Sequence, residues 1–163
     1  VRKLLEFSRE SRPVVEKASL EDIIEEALPL FINQPEFNNI QIRKSYSEAL
    51  PQVSVDTDQI LQVFINLIIN AGHAMMNGGL LEISTWLSVD GKSVCASLKD
   101  SGAGISEEDF ERIFDPFFTT KTDGTGLGLS ISYGIIQNNG GSIDVQSSKG
   151  EGTVFTLTFP VSG

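Results

Sequence analysis

The stretch from about Thr57 to Met76 restricts the fold more than any other part of the chain. Its apolar residues Ile60, Val63, Phe64, Leu67, Ile68, Ala71, Ala74 and Met75 recur at spacings of three and four, the core stripe of an amphipathic helix. A one-sided helix of this kind has to bury its stripe against a second layer. The opposite side carries Gln59, Gln62, Asn66, Asn70, His73 and Asn77, which fall within a narrow arc at about 100° per residue. The ordinary reading of such a side is a solvated face. Solvated faces, however, use Lys, Glu and Arg, and no charged residue occurs from Gln59 to Leu81. The amide stripe therefore reads as the floor of a polar pocket.

The second layer is found in segments of a different period. IQIRKSY (40–46) alternates as a strand, and strands are predicted at about 80–89 and 92–99, joined by Asp90-Gly91 as a two-residue hairpin turn. The chain closes with the hairpin GSIDVQSSKGEGTVFTLTF, in which Phe155, Leu157 and Phe159 share one face. Further helices are predicted over LEDIIEEALPLFIN with Ser19 as N-cap, over SEEDFERIF with Ser106 as cap, and over about 127–138. A brief extended VVEKA precedes the first of these, and VRKLLEFSRESRP before it reads as the tail of a longer helix stopped by Pro13. Helices interspersed with antiparallel pairs give an α+β class, one helix layer on one mostly antiparallel or mixed sheet.

At 163 residues and 40% hydrophobic content the chain has material for one core, with at most a short appendage. The formal charge of −10 argues against a nucleic-acid or anionic-membrane partner. Cys95, the only cysteine, reads as a buried strand residue; it excludes an internal disulfide and any multi-cysteine zinc site. No apolar run approaches the roughly 20 residues needed to span a bilayer. The absence of an initiator methionine at Val1 reads as a piece of a longer parent.

Chemistry concentrates in four places. On the long helix, an asparagine carbonyl is a hard neutral ligand that can hold Mg²⁺ without adding charge beside a triphosphate, and His73, one turn beyond Asn70, can donate to a phosphate oxygen. DSGAGI (100–105) sits where the alternation Val94, Ala96, Leu98 runs out, so Asp100 stands at a strand end and Gly102 and Gly104 permit close approach. The competing reading is an ordinary turn. GTGLGLS (124–130) fits neither the P-loop nor the dinucleotide glycine pattern, but feeds small residues into a helix N-terminus, where free amides attract phosphate. Between them FDPFFTTK (114–121) places three phenylalanines and a cation in a loop, which suits a lid over a ligand or an apolar cluster under a loop.

NLIINAGHAM, DSGAGI, FDPFFTTK and GTGLGLS, in this order and at these separations, closely resemble the N, G1, F and G2 boxes of the catalytic ATP-binding domain of sensor histidine kinases. The resemblance extends over about residues 15–160, through the closing GGSIDVQSSKGEGTVFTLTFP, and LLEFSR near the start looks like the end of the dimerisation and phosphoacceptor hairpin. It implies a Bergerat-type two-layer α/β sandwich, a mixed sheet of about five strands covered by three helices. It divides the chain into 1–13, the end of the hairpin, and 14–163, the catalytic domain. It makes Asn70 the Mg²⁺ ligand, with Asn66 beside it and His73 touching phosphate; these and Lys121 form the catalytic set. Asp100 takes the adenine amine, with Gly102, Gly104 and Ile105 against the base. Phe114, Phe117, Phe118, Thr119 and Lys121 belong to the lid, the lysine as a phosphate contact, and Gly124, Thr125, Gly126, Leu127, Gly128 and Leu129 form its hinge and the phosphate wall.

The implied cofactors are ATP and Mg²⁺. The implied partners are the phosphoacceptor hairpin of a homodimeric parent and a response regulator receiver domain, in the cytoplasm, whether or not the parent is membrane-anchored. By the same resemblance His73 is not the phosphoacceptor, since that histidine lies on the first helix of the hairpin. Three rival functions share the pocket. ATPases of this fold, as in gyrase, mismatch-repair and chaperone relatives, carry a water-activating glutamate where this chain has Asn66, and an amide cannot act as that base. A serine-directed kinase of the anti-sigma type lacks the hairpin that LLEFSR suggests. A non-catalytic ATP-sensing module is the third.

Overall fold

Segments with period two form strands and segments with spacings of three and four form helices in the computed structural model, which describes residues 13–115 and 128–162. In chain order the elements are β1 (Glu16–Ala18), α1 (Leu20–Ala27), α2 (Pro29–Ile32), β2 (Ile40–Tyr46), β3 (Val53–Val55), α3 (Thr57–Ala74), β4 (Gly79–Leu87), β5 (Ser93–Asp100), α4 (Glu107–Phe110), α5 (Gly128–Asn138), β6 (Ser142–Ser148) and β7 (Gly152–Pro160). Five strands make one sheet in the order β2-β4-β5-β7-β6. β2 runs parallel to β4 and the other pairs are antiparallel, so the sheet is mixed. β1 and β3 pair separately, and a Val53–Val161 bridge ties them to the end of β7.

One face of the sheet is apolar. Leu81 and Ile83 on β4, Val94, Ala96 and Leu98 on β5, and Phe155, Leu157 and Phe159 on β7 meet Ile24 of α1, Ile60, Phe64, Leu67 and Ile68 of α3, and Ile136 of α5 in a single cluster. α3 packs between α1 and α5. Its stripe side chains Ile60, Phe64, Leu67 and Ile68 are at most 1% exposed. Burying each is worth roughly 1.5–3 kcal/mol relative to solvent, which is why this helix anchors the layer. The architecture is the predicted α+β sandwich, a mixed five-stranded sheet covered by three main helices. Cys95 is buried on the other face of β5, its thiol beside the Thr158 hydroxyl.

Local chemistry moves several boundaries. α3 ends at Ala74 rather than Met76, because Met75 leaves the helical region (φ −120, ψ 44) and Gly78 turns the chain at φ +99. Asn77 therefore lies outside the helix. The single helix predicted over 20–33 is broken at Leu28, since Pro29 has no N–H for the next helical bond. Ser19 occupies the N-cap position with extended dihedrals but its side chain makes no capping bond. Ser106 does cap, accepting from the Asp109 N–H. The β4–β5 connection is not a two-residue turn. Ser88 and Ser93 close it, Gly91 takes φ +73, and Asp90 accepts from the Ser88 hydroxyl at 2.7 Å and the Lys92 N–H at 2.9 Å, which stabilises a longer loop. These bonds hold the Asp90 carboxyl below its ordinary range.

Candidate functional site

Asp100 ends β5 with the same parity as Val94, Ala96 and Leu98, so its carboxyl continues the inward face of the sheet and is 5% exposed. Burial raises its pKa above the ordinary carboxylate value, against the pull of the Gly102 and Thr153 backbone N–H groups. The Gly102 N–H donates to Oδ1 at 2.9 Å. A buried carboxylate that keeps acceptor capacity beyond these bonds is suited to taking a donor from a ligand.

The glycines around it have steric reasons. A Cβ on Gly102 would sit 2.5 Å from the Ala74 carbonyl oxygen, so the loop after β5 lies directly against the last turn of α3. Ser101 reinforces that contact, its hydroxyl donating to the Met75 Sδ at 3.5 Å while accepting from the Leu80 N–H of β4 at 2.9 Å. Gly104 has φ +75, and a Cβ there would run into the Ser148 carbonyl. Ile105 follows, its N–H donating to the Ser147 hydroxyl at 2.8 Å. The loop is thus fitted between the end of α3 and the β6–β7 turn.

That turn is the part sequence reasoning missed. Gly152, at φ +92, packs on the backbone of Asp100, and Thr153 is paired with Asp100 across the sheet. Ser147 accepts from Ile105, donates to the Gly152 carbonyl at 3.0 Å and lies 2.9 Å from the Thr153 hydroxyl. The signal was KGEGT, where two glycines flank a strand start, but nothing local says that the segment abuts a loop some 50 residues earlier in the chain.

α3 supplies the opposite wall. Asn66 and Asn70 are half-buried and one turn apart; His73 is exposed in the last turn. Part of the amide stripe faces another helix rather than a pocket. Gln59 and Asn66 face α5: Asn139 Nδ2 donates to Gln59 Oε1 at 2.9 Å, and Asn66 Nδ2 lies 3.2 Å from the Ser132 hydroxyl. Asn139 also accepts from the Asp56 N–H at 2.8 Å, while the Asp56 carboxylate caps α3 through the Gln59 N–H and takes the Val14 N–H. Phe114 packs against Tyr133 of α5 with the rings tilted at 41° and centroids 5.4 Å apart. Gly128 opens α5, and Leu129 packs against the core. Phe117, Phe118, Thr119, Lys121, Gly124, Thr125, Gly126 and Leu127 lie outside the described residues. The structure therefore brings Asp100, Gly102, Gly104 and Ile105 together beside the end of the helix that bears Asn66, Asn70 and His73.

Residues 55–163 match the family described as histidine kinase-, DNA gyrase B- and HSP90-like ATPase. The sensor histidine kinase ZraS of Salmonella typhimurium is 38% identical over 161 residues, 99% of this chain and 34% of its own length. Sporulation kinase A of Bacillus subtilis is 42% identical over 147 residues, 90% of this chain and 24% of that protein. The chain thus spans about a third or less of these relatives. Among solved structures, the nucleotide-free catalytic domain of histidine kinase ThkA is similar at a TM-score of 0.80 and 35% identity, covering 91% of this chain and 99% of that one. ThkA in complex with the response regulator protein TrrA gives 0.82 and 33%, covering 99% and 46%. With a family match over most of its length and a histidine kinase catalytic domain matched nearly end to end, the chain belongs to the histidine kinase-, DNA gyrase B- and HSP90-like ATPase family, among its histidine kinase catalytic domains.

Proposed function

We propose that this domain binds Mg-ATP and presents the γ-phosphate to a histidine on a helical hairpin of the same parent protein. The observation that carries the reading is Asp100, a carboxylate 5% exposed at a strand end with glycines on the chain beyond it. Its free acceptor capacity takes the exocyclic amine of adenine, and Gly102, Gly104 and Ile105 leave a flat surface for the base. Asn70 suits Mg²⁺ by donor chemistry, being a half-buried amide on a stretch of sequence without Asp, Glu, Lys or Arg from Gln59 to Leu81. The cation, when bound, neutralises phosphate charge. His73, exposed in the last turn of α3, meets the phosphates from the side rather than in line, and Lys121, Phe118 and Thr119 complete the set from the segment that resembles the lid.

Transfer on this reading is positioning and charge neutralisation, the usual division of labour in phosphoryl transfer. The acceptor hairpin, of which residues 1–13 are the end, a homodimeric parent and a response regulator receiver domain belong to the same proposal; the ThkA complex with TrrA supports the last. A hydrolytic role is disfavoured because Asn66 stands where the ATPase base is needed.

Calorimetry with and without Mg²⁺ is the test. The wild-type chain should bind Mg-ATP, and Asn70→Ala should lose most of the metal-dependent part of the affinity with its circular dichroism unchanged. Unchanged Mg²⁺ dependence in Asn70→Ala removes that residue from the site. The chain alone should incorporate no acid-labile phosphate from γ-labelled ATP, and a separately supplied hairpin bearing the parent's histidine should restore incorporation on the hairpin.

A further inference from the structure

Asn66 is assigned to the nucleotide by resemblance, yet its hydrogen bonds run to another helix. Its Nδ2 lies 3.4 Å from the Gly128 carbonyl and 3.2 Å from the Ser132 hydroxyl, and its Oδ1 accepts from Gln62 Nε2 at 2.9 Å. The orientation of the amide is not arbitrary. A peptide carbonyl only accepts, so the group turned toward Gly128 must be the NH₂, and the carbonyl is left for Gln62. Both acceptors belong to α5: Gly128 is its first residue, and Ser132, one turn on, is 0% exposed.

The spacing shows that this contact is part of a seam. Gln59 and Asn66 are seven residues apart on α3, and Ser132 of α5 and Asn139, the residue just after its last turn, are seven apart as well. Gln59 meets Asn139 and Asn66 meets Ser132, so the two helices run antiparallel and touch through polar groups about every two turns, roughly 10.5 Å. Val63 and Ile136, both 0% exposed, lie between the two contacts along their helices. The Asn139 end is further held by Asp56 and by the Ile135 carbonyl. At the other end Gly128 has no side chain, and among the described residues nothing lies within 4 Å of where its Cβ would be, so the Asn66 bond is the contact that ties this opening residue of α5 to α3.

We propose that Asn66 is a clasp holding the first turn of α5 against α3, and that Gln62 and Ser132 are its positioning residues. Through it they align the Asn70 side chain with the N-terminal turn of α5, whose Gly128 and Leu129 belong by resemblance to the phosphate wall; to that extent the inference rests on the proposed function. The clasp also accounts for an amide at this position. A carboxylate at 66 would face the Gly128 carbonyl with no proton to give, so a water-activating acid and this clasp exclude each other.

The test uses the chain as it stands, first without nucleotide. Hydrogen exchange is read at the amides of Ser132, Tyr133 and Gly134, whose helical bonds return to carbonyls of the first turn. Gln62 is exposed in mid-helix, so Gln62→Ala should keep the melting temperature. It should nonetheless speed exchange at these amides about fivefold, and Asn66→Asp should speed it more, with the sheet amides unchanged. Mg-ATP affinity should fall by a similar factor in Gln62→Ala, and Gln62→Ala should add nothing in an Asn66→Ala background. Unchanged exchange in both variants overturns the clasp. A loss of affinity that adds fully to that of Asn66→Ala overturns the routing through Asn66, and a uniform rise in exchange with a lowered melting temperature overturns positioning in favour of plain stability. Should the wild-type chain fail to bind Mg-ATP, the functional reading falls while the exchange measurement still decides the clasp.

Discussion

Asp100→Asn separates recognition from stability, because on the proposed function the two respond in opposite directions. The replacement has nearly the same shape, and its amide oxygen can keep the bond from the Gly102 N–H, 2.9 Å in the wild type. The amide NH₂ then faces the ligand, where adenine also presents an NH₂. ATP loses a hydrogen bond to a charged acceptor and gains an opposed pair of donors, together about 2 kcal/mol or more, which is ~30-fold in affinity. Guanine carries a carbonyl at that position, so GTP loses less or gains. The same change removes a carboxylate that is 5% exposed and whose ionised form is disfavoured chiefly by burial, so the melting temperature should hold or rise. Calorimetric titration of both variants with ATP and GTP, alongside a thermal melt, reads all three quantities. An unchanged ATP-to-GTP ratio refutes adenine recognition by Asp100. A fall in melting temperature with equal losses for both nucleotides makes the residue structural.

The same carboxyl gives a pH dependence. Its folded pKa is raised, so the native state binds the proton more readily than the unfolded chain, and its contribution to stability grows as pH falls toward the ordinary 3.8 and is lost as pH rises through the folded value. The difference in urea-unfolding free energy between wild type and Asp100→Asn should follow that slope; a flat difference would deny it. Gly104→Ala meets both a left-handed φ of +75 and the Ser148 carbonyl, and should cost about 2 kcal/mol or more, a drop of roughly 4–8 °C in melting temperature. Gly134→Ala in α5, where a Cβ meets nothing within 4 Å, should instead stabilise by about 0.5–1 kcal/mol, and similar melts for the two would show that the backbone reasoning fails. Steady ATP hydrolysis should be very slow, since Asn66 offers an amide where the base is needed and the sequence holds no carboxylate from Gln59 to Leu81; phosphate release at about one turnover per second or faster would contradict it.

What the sequence disclosed and what it withheld differ by range rather than by importance. Core parity was legible because it is local: Val94, Ala96 and Leu98 alternate, and Asp100 inherits their side of the sheet two residues later. The roles of Gly102 and Gly104 were legible as a demand for close approach, although the groups approached, Ala74 and Ser148, were not. β3, three residues long, is too short to show a period, and its strand exists because β1 pairs with it. The hairpin after β4 was misread because Asp90-Gly91 specifies a tight turn only if no side chain competes, and Asp90 binds Ser88 and Lys92 instead. The amide stripe shows the limit most clearly. Asparagine and glutamine look the same in a sequence whether they line a pocket or join two helices, and the choice is made by what stands opposite. For Gln59 and Asn66 that is Asn139 and Ser132, across the chain and out of reach of any local pattern. Only when the matching seven-residue spacings along α3 and along α5 with its cap are set antiparallel does the stripe divide into a seam at Gln59 and Asn66 and a remainder, Asn70 and His73, that the proposed function turns toward the nucleotide. A face without charges therefore has two physical explanations, desolvation by a ligand and desolvation by a neighbouring helix, and at Gln59 and Asn66 the second one holds.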